Sequence, residues 1–395
     1  MKDHFCILPF IHMEIQPNGS VYPCCHSNDP TTVGNLHEQS LESIWKGKEL
    51  ASFQNEFHSE DSKVLPHCKD CLYYESLSAK SWRETENENW SHYLQDATKK
   101  KLDTQFPRSI SIRFSNLCNF SCRTCRPSTS TAWFKDAKFL NPKGKYHKIT
   151  SAPSDSPLIK QIEPFIEKLE HVYFAGGEPL MEKEHYQILE LLLRRNPDVE
   201  LSYDSNLSLL ELGEYDAIEL WKGFKKVNFS ASVDGYGEQG EFIRKGLNWN
   251  VYLDNWNRIK KEAPHIRLMM NFTLSIYNMF HVLDFLKEVE RLDMYKDNDE
   301  SDLTISLVEE PAWQSLQALP EEVKLKVKQE YDSYFENNNF GKSKEDLDTA
   351  VKYMLGADKS KLLGQFRVFN SKIDLLRGES FIKLFPLEAS LLGIN

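Results

Sequence analysis

Between Ser109 and Val308 short strand-like runs alternate with helical patterns, and this alternation confines the chain to a small set of folds. The runs are Ser109–Ser115, His171–Ala175, Val199–Ser205, Val227–Val233, Ile266–Leu274 and Leu303–Val308. Helical stretches such as Glu182–Arg195 and Met279–Leu292 lie between them, the latter setting Val282, Phe285, Leu286, Val289 and Leu292 on one apolar stripe. Strands joined through helices build βαβ units and a parallel sheet.

The strands are apolar on one face only. In Val227–Asp234 the residues Val227, Phe229, Ala231 and Val233 share one phase, and Asn228, Ser230, Ser232 and Asp234 the other. The same split sets Ser111, Arg113 and Ser115, then Ser202, Asp204 and Asn206, then Asn271 and Thr273, on a polar side. A sheet packed on both sides is apolar on both, and a closed eight-stranded barrel fills its centre with branched aliphatics. Six strands with one polar face predict instead an α/β fold: a partial (β/α)6 TIM barrel lined with hydrogen-bonding groups. An antiparallel sheet with one solvated face is the alternative, which the intervening helices disfavour.

All eight cysteines fall in the first third of the 395 residues: Cys6, Cys24, Cys25, Cys68, Cys71, Cys118, Cys122 and Cys125. The N-terminal MKDHFCILPFIHMEI lacks the basic flank and unbroken apolar run of a signal peptide, so reduced thiols in the cytoplasm are expected. No apolar run is long enough for a membrane helix. The net charge of −11 and the lack of basic clusters argue against nucleic acid as a partner.

Cys118, Cys122 and Cys125 follow the first strand within eight residues. Structural zinc and ordinary iron–sulfur clusters take four protein ligands, so three thiolates leave one metal corner open. This C-x3-C-x2-C loop resembles the signature of the radical S-adenosylmethionine (SAM) superfamily, and further motifs follow in the family's order. Gly176-Gly177-Glu178 after the second strand resembles the GGE motif; Ser205 and Asn206 end the third; Ser232 and Asp234 end the fourth, with Arg244 beyond. The resemblance implies that the three cysteines hold a [4Fe–4S] cluster whose fourth iron binds SAM. It further implies that the glycines and Glu178 meet the methionine amino group, that Ser205, Asn206, Ser232 and Asp234 hold the ribose, and that Arg244 meets the methionine carboxylate. Reductive cleavage of SAM would then give a radical that takes hydrogen from a substrate. Thr124 departs from the pattern, since the family usually has an aromatic residue before the last cysteine.

Upstream, Gly19-x4-Cys24 and the distant Cys68-x2-Cys71 pair make, with Cys6, a four-thiolate set suited to zinc or iron. With Gly34-Asn35-Leu36 and the Ser40–Trp45 helix, the segment resembles the SPASM/twitch auxiliary-cluster region, which family members usually carry after the barrel rather than before it. The resemblance implies an auxiliary [4Fe–4S] cluster on Cys6, Cys24, Cys68 and Cys71, serving substrate oxidation or structure alone. Cys24 fits the Gly-x4-Cys count and Cys25 does not; His12, His26 and His67 are possible substitute ligands.

The expected organisation is a cysteine-rich twitch-like domain at 1–80, a connector at 81–107, the partial barrel at 108–310 and a helical C-terminal extension at 311–395. Asp204 and Glu310 lie in the polar phase near strand C-termini, as candidates to orient substrate or take a proton. The resemblance implies a radical SAM oxidoreductase supplied with electrons by a flavodoxin or ferredoxin; it names no substrate, and a peptide or protein side chain is the expected one. A small molecule (a sugar, aminocyclitol or cofactor precursor) is the alternative, and a non-catalytic metal-binding interaction protein is the alternative of another class.

Overall fold

Each of the six expected runs forms a strand in the computed structural model, which describes residues 4–25, 31–59, 66–294, 302–338 and 341–394. The chain divides into two compact units, one of residues 1–117, 148–203 and 210–228, the other of residues 118–147, 204–209 and 229–395.

The first unit holds β1 (His12–Ile15), β2 (Ser20–Tyr22), β3 (Gly34–Asn35), β4 (Ser109–Arg113), β5 (His171–Ala175) and the start of β6 (Glu200–Ser205), with a small hairpin of β7 (Glu211–Leu212) and β8 (Tyr215–Asp216). Its strands run in the order β3-β2-β1-β4-β5-β6. The pairs β4–β5 and β5–β6 are parallel, as the βαβ reading requires. One strand is unexpected. β1, from the cysteine-rich segment, pairs parallel with β4 and extends the sheet by four residues, His12 facing Ser109 and Glu14 facing Ser111.

That added strand explains why the polar phase of β4 is buried. The His12 ring lies 2.9 Å through Nδ1 from Ser109 Oγ and 3.4 Å through Nε2 from Ser111 Oγ. Ser109 Oγ is 3.1 Å from His171 Nδ1, and His171 Nε2 is 2.9 Å from Ser202 Oγ. A hydrogen-bonded line thus crosses β1, β4, β5 and β6, meeting the demand that buried polar groups find partners. The opposite phase, with Ile110, Ile112, Val172, Phe174, Leu201 and Tyr203, is core.

The second unit carries β9 (Val227–Val233) from Phe229 onward, β10 (Arg267–Leu274) and β11 (Leu303–Leu307), neighbours in that order. β10 and β11 are parallel, from Met270 against Leu303 to Leu274 against Leu307. β9 shows the alternation read from its sequence, Val227, Phe229, Ala231 and Val233 being buried and the serines and Asn228 between them half-buried. The C-terminal region is helical, with Glu321–Asn337, Gly341–Leu355 and Leu363–Arg377. The second of these helices covers β11: Asp346 Oδ2 accepts the Ile305 N–H at 3.1 Å. Among the described residues no helix is long and apolar enough to cross a membrane.

Candidate active site

The three-cysteine loop begins the second unit and is held by backbone pairing. Ser121 N–H donates to Lys245 O at 2.8 Å and Arg123 N–H to Ile243 O at 2.7 Å, so Arg244 is carried on the segment that the loop zips against. Sequence distance hides this, because 120 residues separate partners that sit side by side. Cys118 Sγ accepts the Phe120 N–H at 3.4 Å and Asn206 Nδ2 lies 3.8 Å from it. Donors of this kind tune the potential of iron–sulfur centres.

Cys122 is buried and Cys125 half-buried. The Cys125 thiol hydrogen-bonds to Cys122 and lowers its pKa below the ordinary thiol value, with the Arg244 charge adding to the effect against burial. Arg244 itself is held protonated by the three cysteines and Asp234, although burial opposes its charge. Its Nη1 lies 3.3 Å from Asp234 Oδ1, and its buried Nε has no partner. Asp234 is fully buried; burial raises its pKa, and Arg244 and the Thr273 N–H oppose that rise. Three thiols around a cation with an unsatisfied donor suit an anionic cluster carrying a carboxylate-bearing ligand. The chemistry of this donor set is that of a three-thiolate [4Fe–4S] cluster with SAM, although among the described residues no group of three or more His, Cys, Asp or Glu side chains is arranged so that it could hold a metal ion.

Ser205, Asn206 and Asp204 also lie in the second unit. Ser205 Oγ accepts the Leu207 N–H at 3.1 Å, and Asn206 accepts the Ser208 N–H at 2.9 Å while its Nδ2 donates to Asn119 Oδ1 at 2.9 Å. The strand end is therefore folded back against the cysteine loop. Ser232 is half-buried on β9 and Asp204 half-buried on β6. Glu310 is exposed and accepts the Ala312 N–H at 3.1 Å, closing its own turn.

Gly176, Gly177 and Glu178 belong to the first unit. Both glycines have positive φ, +74° and +47°. A Cβ on Gly176 would meet the Arg113 side chain at 2.6 Å, and one on Gly177 would meet the Leu117 carbonyl at 2.4 Å. Glu178 N–H donates to that same carbonyl at 2.7 Å. The close approach these glycines permit is to the chain's own root of the cysteine loop. Glu178 is buried and caps the turn Pro179–Met181 through the Leu180 N–H.

The first unit also gathers the upstream cysteines. Cys6 lies in an apolar cluster with Phe5, Phe10, Phe53 and Phe57, and Cys24 and Cys68 pack against it. Burial raises the Cys6 pKa, and repulsion from Cys24, Cys68 and Cys71 raises it further. Burial lifts Cys68 to about 12 and Cys71 to about 11, with Cys24 adding to both. The Cys25 pKa is raised through its hydrogen bond with Cys24, by burial, and by Glu86 and Cys71. Thiols that raise one another's pKa values are the donor type an iron–sulfur core takes, but the described residues bring no three of them into an arrangement that could hold a metal ion.

Sequence reading missed how Cys6 is held. The helix Trp82–Asn89 lies in what reads as a connector, yet Asn87 accepts the Ile7 N–H at 2.9 Å and donates to Phe5 O at 2.8 Å, bracketing Cys6. Arg83 donates to Phe5 O at 3.3 Å and binds Glu75, on the helix that carries Cys71, at 2.7 Å. The capping box Ser81-x-x-Glu84 was the one available signal that a helix starts there. His12 is committed to Ser109 and Ser111, and His67 Nδ1 is 2.6 Å from Thr31 Oγ1; His26 lies outside the described residues.

Comparison with known proteins gives two family matches. Residues 112–287 match the radical SAM superfamily and residues 6–72 match SPASM, an iron–sulfur cluster-binding domain. A GTP 3',8-cyclase of Campylobacter lari is 25% identical over 122 residues, 31% of this chain and 33% of the relative. The match thus spans about a third of that relative's length. Among solved structures, anSMEcpe with bound AdoMet is 17% identical with a TM-score of 0.41, covering 64% of this chain and 63% of its own. Streptococcus suis SuiB bound to S-adenosylmethionine is 11% identical with a TM-score of 0.39, covering 75% of this chain and 62% of its own. The cofactors that the family matches bring are a [4Fe–4S] cluster with SAM and auxiliary iron–sulfur. Residues 112–287 thus carry a radical SAM domain, and residues 6–72, ahead of it, a SPASM-type cluster-binding domain.

Proposed function

We propose that this protein is a radical SAM oxidoreductase that takes hydrogen from a peptide or protein side chain and passes the surplus electron to an auxiliary [4Fe–4S] cluster. The observation that carries the chemistry is the grouping of Cys118, Cys122 and Cys125 with the Arg244–Asp234 pair. When bound, the cluster and SAM supply a carbon radical able to abstract hydrogen. Arg244, whose Nε has no partner among the described residues, would hold the carboxylate of the cofactor; Asp234 fixes the guanidinium, and Asn206 anchors the strand end to the loop. Cys6, Cys24, Cys68 and Cys71 hold the second cluster, and Asn87 and Arg83 fix the backbone around Cys6.

The peptide class is supported by the polar phase of the strands. In β10 and β11, Asn271, Thr273 and Ser306 offer neutral donors and acceptors suited to amides. Arg113 and Arg244 are each already paired with a buried carboxylate, Glu14 and Asp234, which makes them poor phosphate clamps. The likeness to a GTP 3',8-cyclase supports a second reading, the same chemistry on a small molecule.

Anaerobically reconstituted protein with dithionite and SAM should form 5′-deoxyadenosine, and Cys122→Ala should abolish it. Deuterium should enter that product from a uniformly deuterated peptide digest. Transfer from deuterated GTP and none from peptides overturns the peptide class; no SAM cleavage at all overturns the chemistry.

A further inference from the structure

The C-terminal extension touches the cysteine loop at its centre. Around Cys122, three successive carbonyls accept from side chains outside the loop: Ser121 O from Arg377 Nη2 at 2.7 Å, Cys122 O from Trp133 Nε1 at 2.7 Å, and Arg123 O from Gln314 Nε2 at 2.8 Å. Arg377 is itself fixed by Asp136, at 2.5 Å from its Nη2.

Arg123, between the second and third cysteines, is fully buried. Its Nη1 donates to Asn370 at 2.8 Å, and its Nη2 to Asp374 at 2.6 Å and to Glu379 at 2.7 Å. Its guanidinium lies 3.6 Å from the centre of the Phe242 ring. Asn370 and Asp374 are on the helix Leu363–Arg377, and Glu379 follows the left-handed Gly378 that ends it. Lys245, whose backbone pairs with the loop, binds Glu379 at 2.6 Å. Two cations and two carboxylates therefore balance beside Cys122, with Arg123 fully buried, Asp374 and Glu379 mostly buried and Lys245 half exposed. A buried arginine left without its carboxylates is strongly unfavourable, so the helix and the loop hold each other in one arrangement.

We propose that the C-terminal helix and its following turn are a positioning element of the radical SAM centre: through Arg123 they fix the conformation of the cysteine loop, and through Asp374 and Glu379 they set the charge next to the cluster. This rests on the radical SAM assignment of the three cysteines. Removing a carboxylate charge leaves net positive charge by the loop, which favours the more negative, reduced cluster and raises its potential. Arg123→Lys keeps the charge but cannot reach three acceptors at once.

Two measurements on the full-length protein separate the outcomes. Before cluster loading, amide hydrogen exchange over residues 118–126 should be about tenfold faster in Arg123→Lys and in the double variant Asp374→Asn/Glu379→Gln than in wild type. After reconstitution, the EPR signal that changes on adding SAM reports the midpoint potential. It should move upward in the double variant and stay near wild type in Arg123→Lys. Wild-type loop exchange and potential in both variants, with only a lower melting temperature, overturn the proposal and leave the helix a structural prop. A wild-type protein with no SAM-responsive signal instead removes the radical SAM reading, while the exchange experiment still reports on the clasp.

Discussion

Gly177 concentrates several constraints on one backbone position. Its φ of +47° is left-handed, and its missing Cβ makes room for the Leu117 carbonyl one residue before the first loop cysteine. Gly213, in the β7–β8 hairpin, has φ of +62° but nothing within 4 Å of an added Cβ. Alanine at Gly213 should therefore cost only the left-handed strain, about 1 kcal/mol. Gly177→Ala adds a backbone clash and should cost more than about 3 kcal/mol, as well as lowering iron content after reconstitution. Urea unfolding of the two variants checks this; equal losses would remove the close approach as the reason for the glycine. At this scale the sequence is legible where chemistry is local. The cysteine spacing and the glycine pair are visible in a string of letters. Arg123, Arg377 and Gln314 are not, since Arg123's partners lie 247 to 256 residues away.

Among the elements, the six alternating strands are legible because a period of two survives in any context that buries one face. β1 is not legible: His12–Ile15 is four residues in a broken apolar run, and nothing local tells a strand that adds to a distant sheet from a loop. Its consequence is a buried acid. Glu14 has no exposed surface, binds Arg113 and accepts from Gln16 Nε2 at 2.8 Å, and its Oε2 has no partner. Glu14→Ala removes the only carboxylate paired with Arg113 among the described residues and should cost about 3 kcal/mol. Glu14→Gln should cost less, because it retains an acceptor for Arg113. Thermal unfolding ranks them, and an alanine variant as stable as wild type would show that β1 docks by its apolar residues alone.

For the whole molecule the informative quantity is the set of groups buried in the wrong charge state for acid. Burial pushes His12 down to about 3, His185 to about 3 and His281 to about 4, and lowers His171 as well. An unfolded chain takes up protons at these residues near pH 6.5. Each histidine's contribution is therefore complete above pH 6.5 and is lost as pH falls from there toward its folded value. Half-buried Glu86 and Glu184 and buried Asp234 and Glu388 act oppositely: desolvation raises their pKa values, so the folded chain binds their protons first and gains stability on acidification. The composition, with −11 net charge, shows neither set, because burial is a property of the fold. His185 gives the cleanest test. Its ring is met by Phe114, Phe174, Tyr186 and Tyr203, its Nε2 lies 2.9 Å from Tyr203 Oη, and burial lowers its pKa. His185→Phe removes one proton from the unfolding balance, so between pH 6 and pH 4.5 its stability should fall less steeply than wild type by up to about 1.4 kcal/mol per pH unit. Urea unfolding across that range measures the slopes, which are insensitive to any constant cost of the substitution. Parallel slopes would mean that the ring already carries a proton in the folded chain.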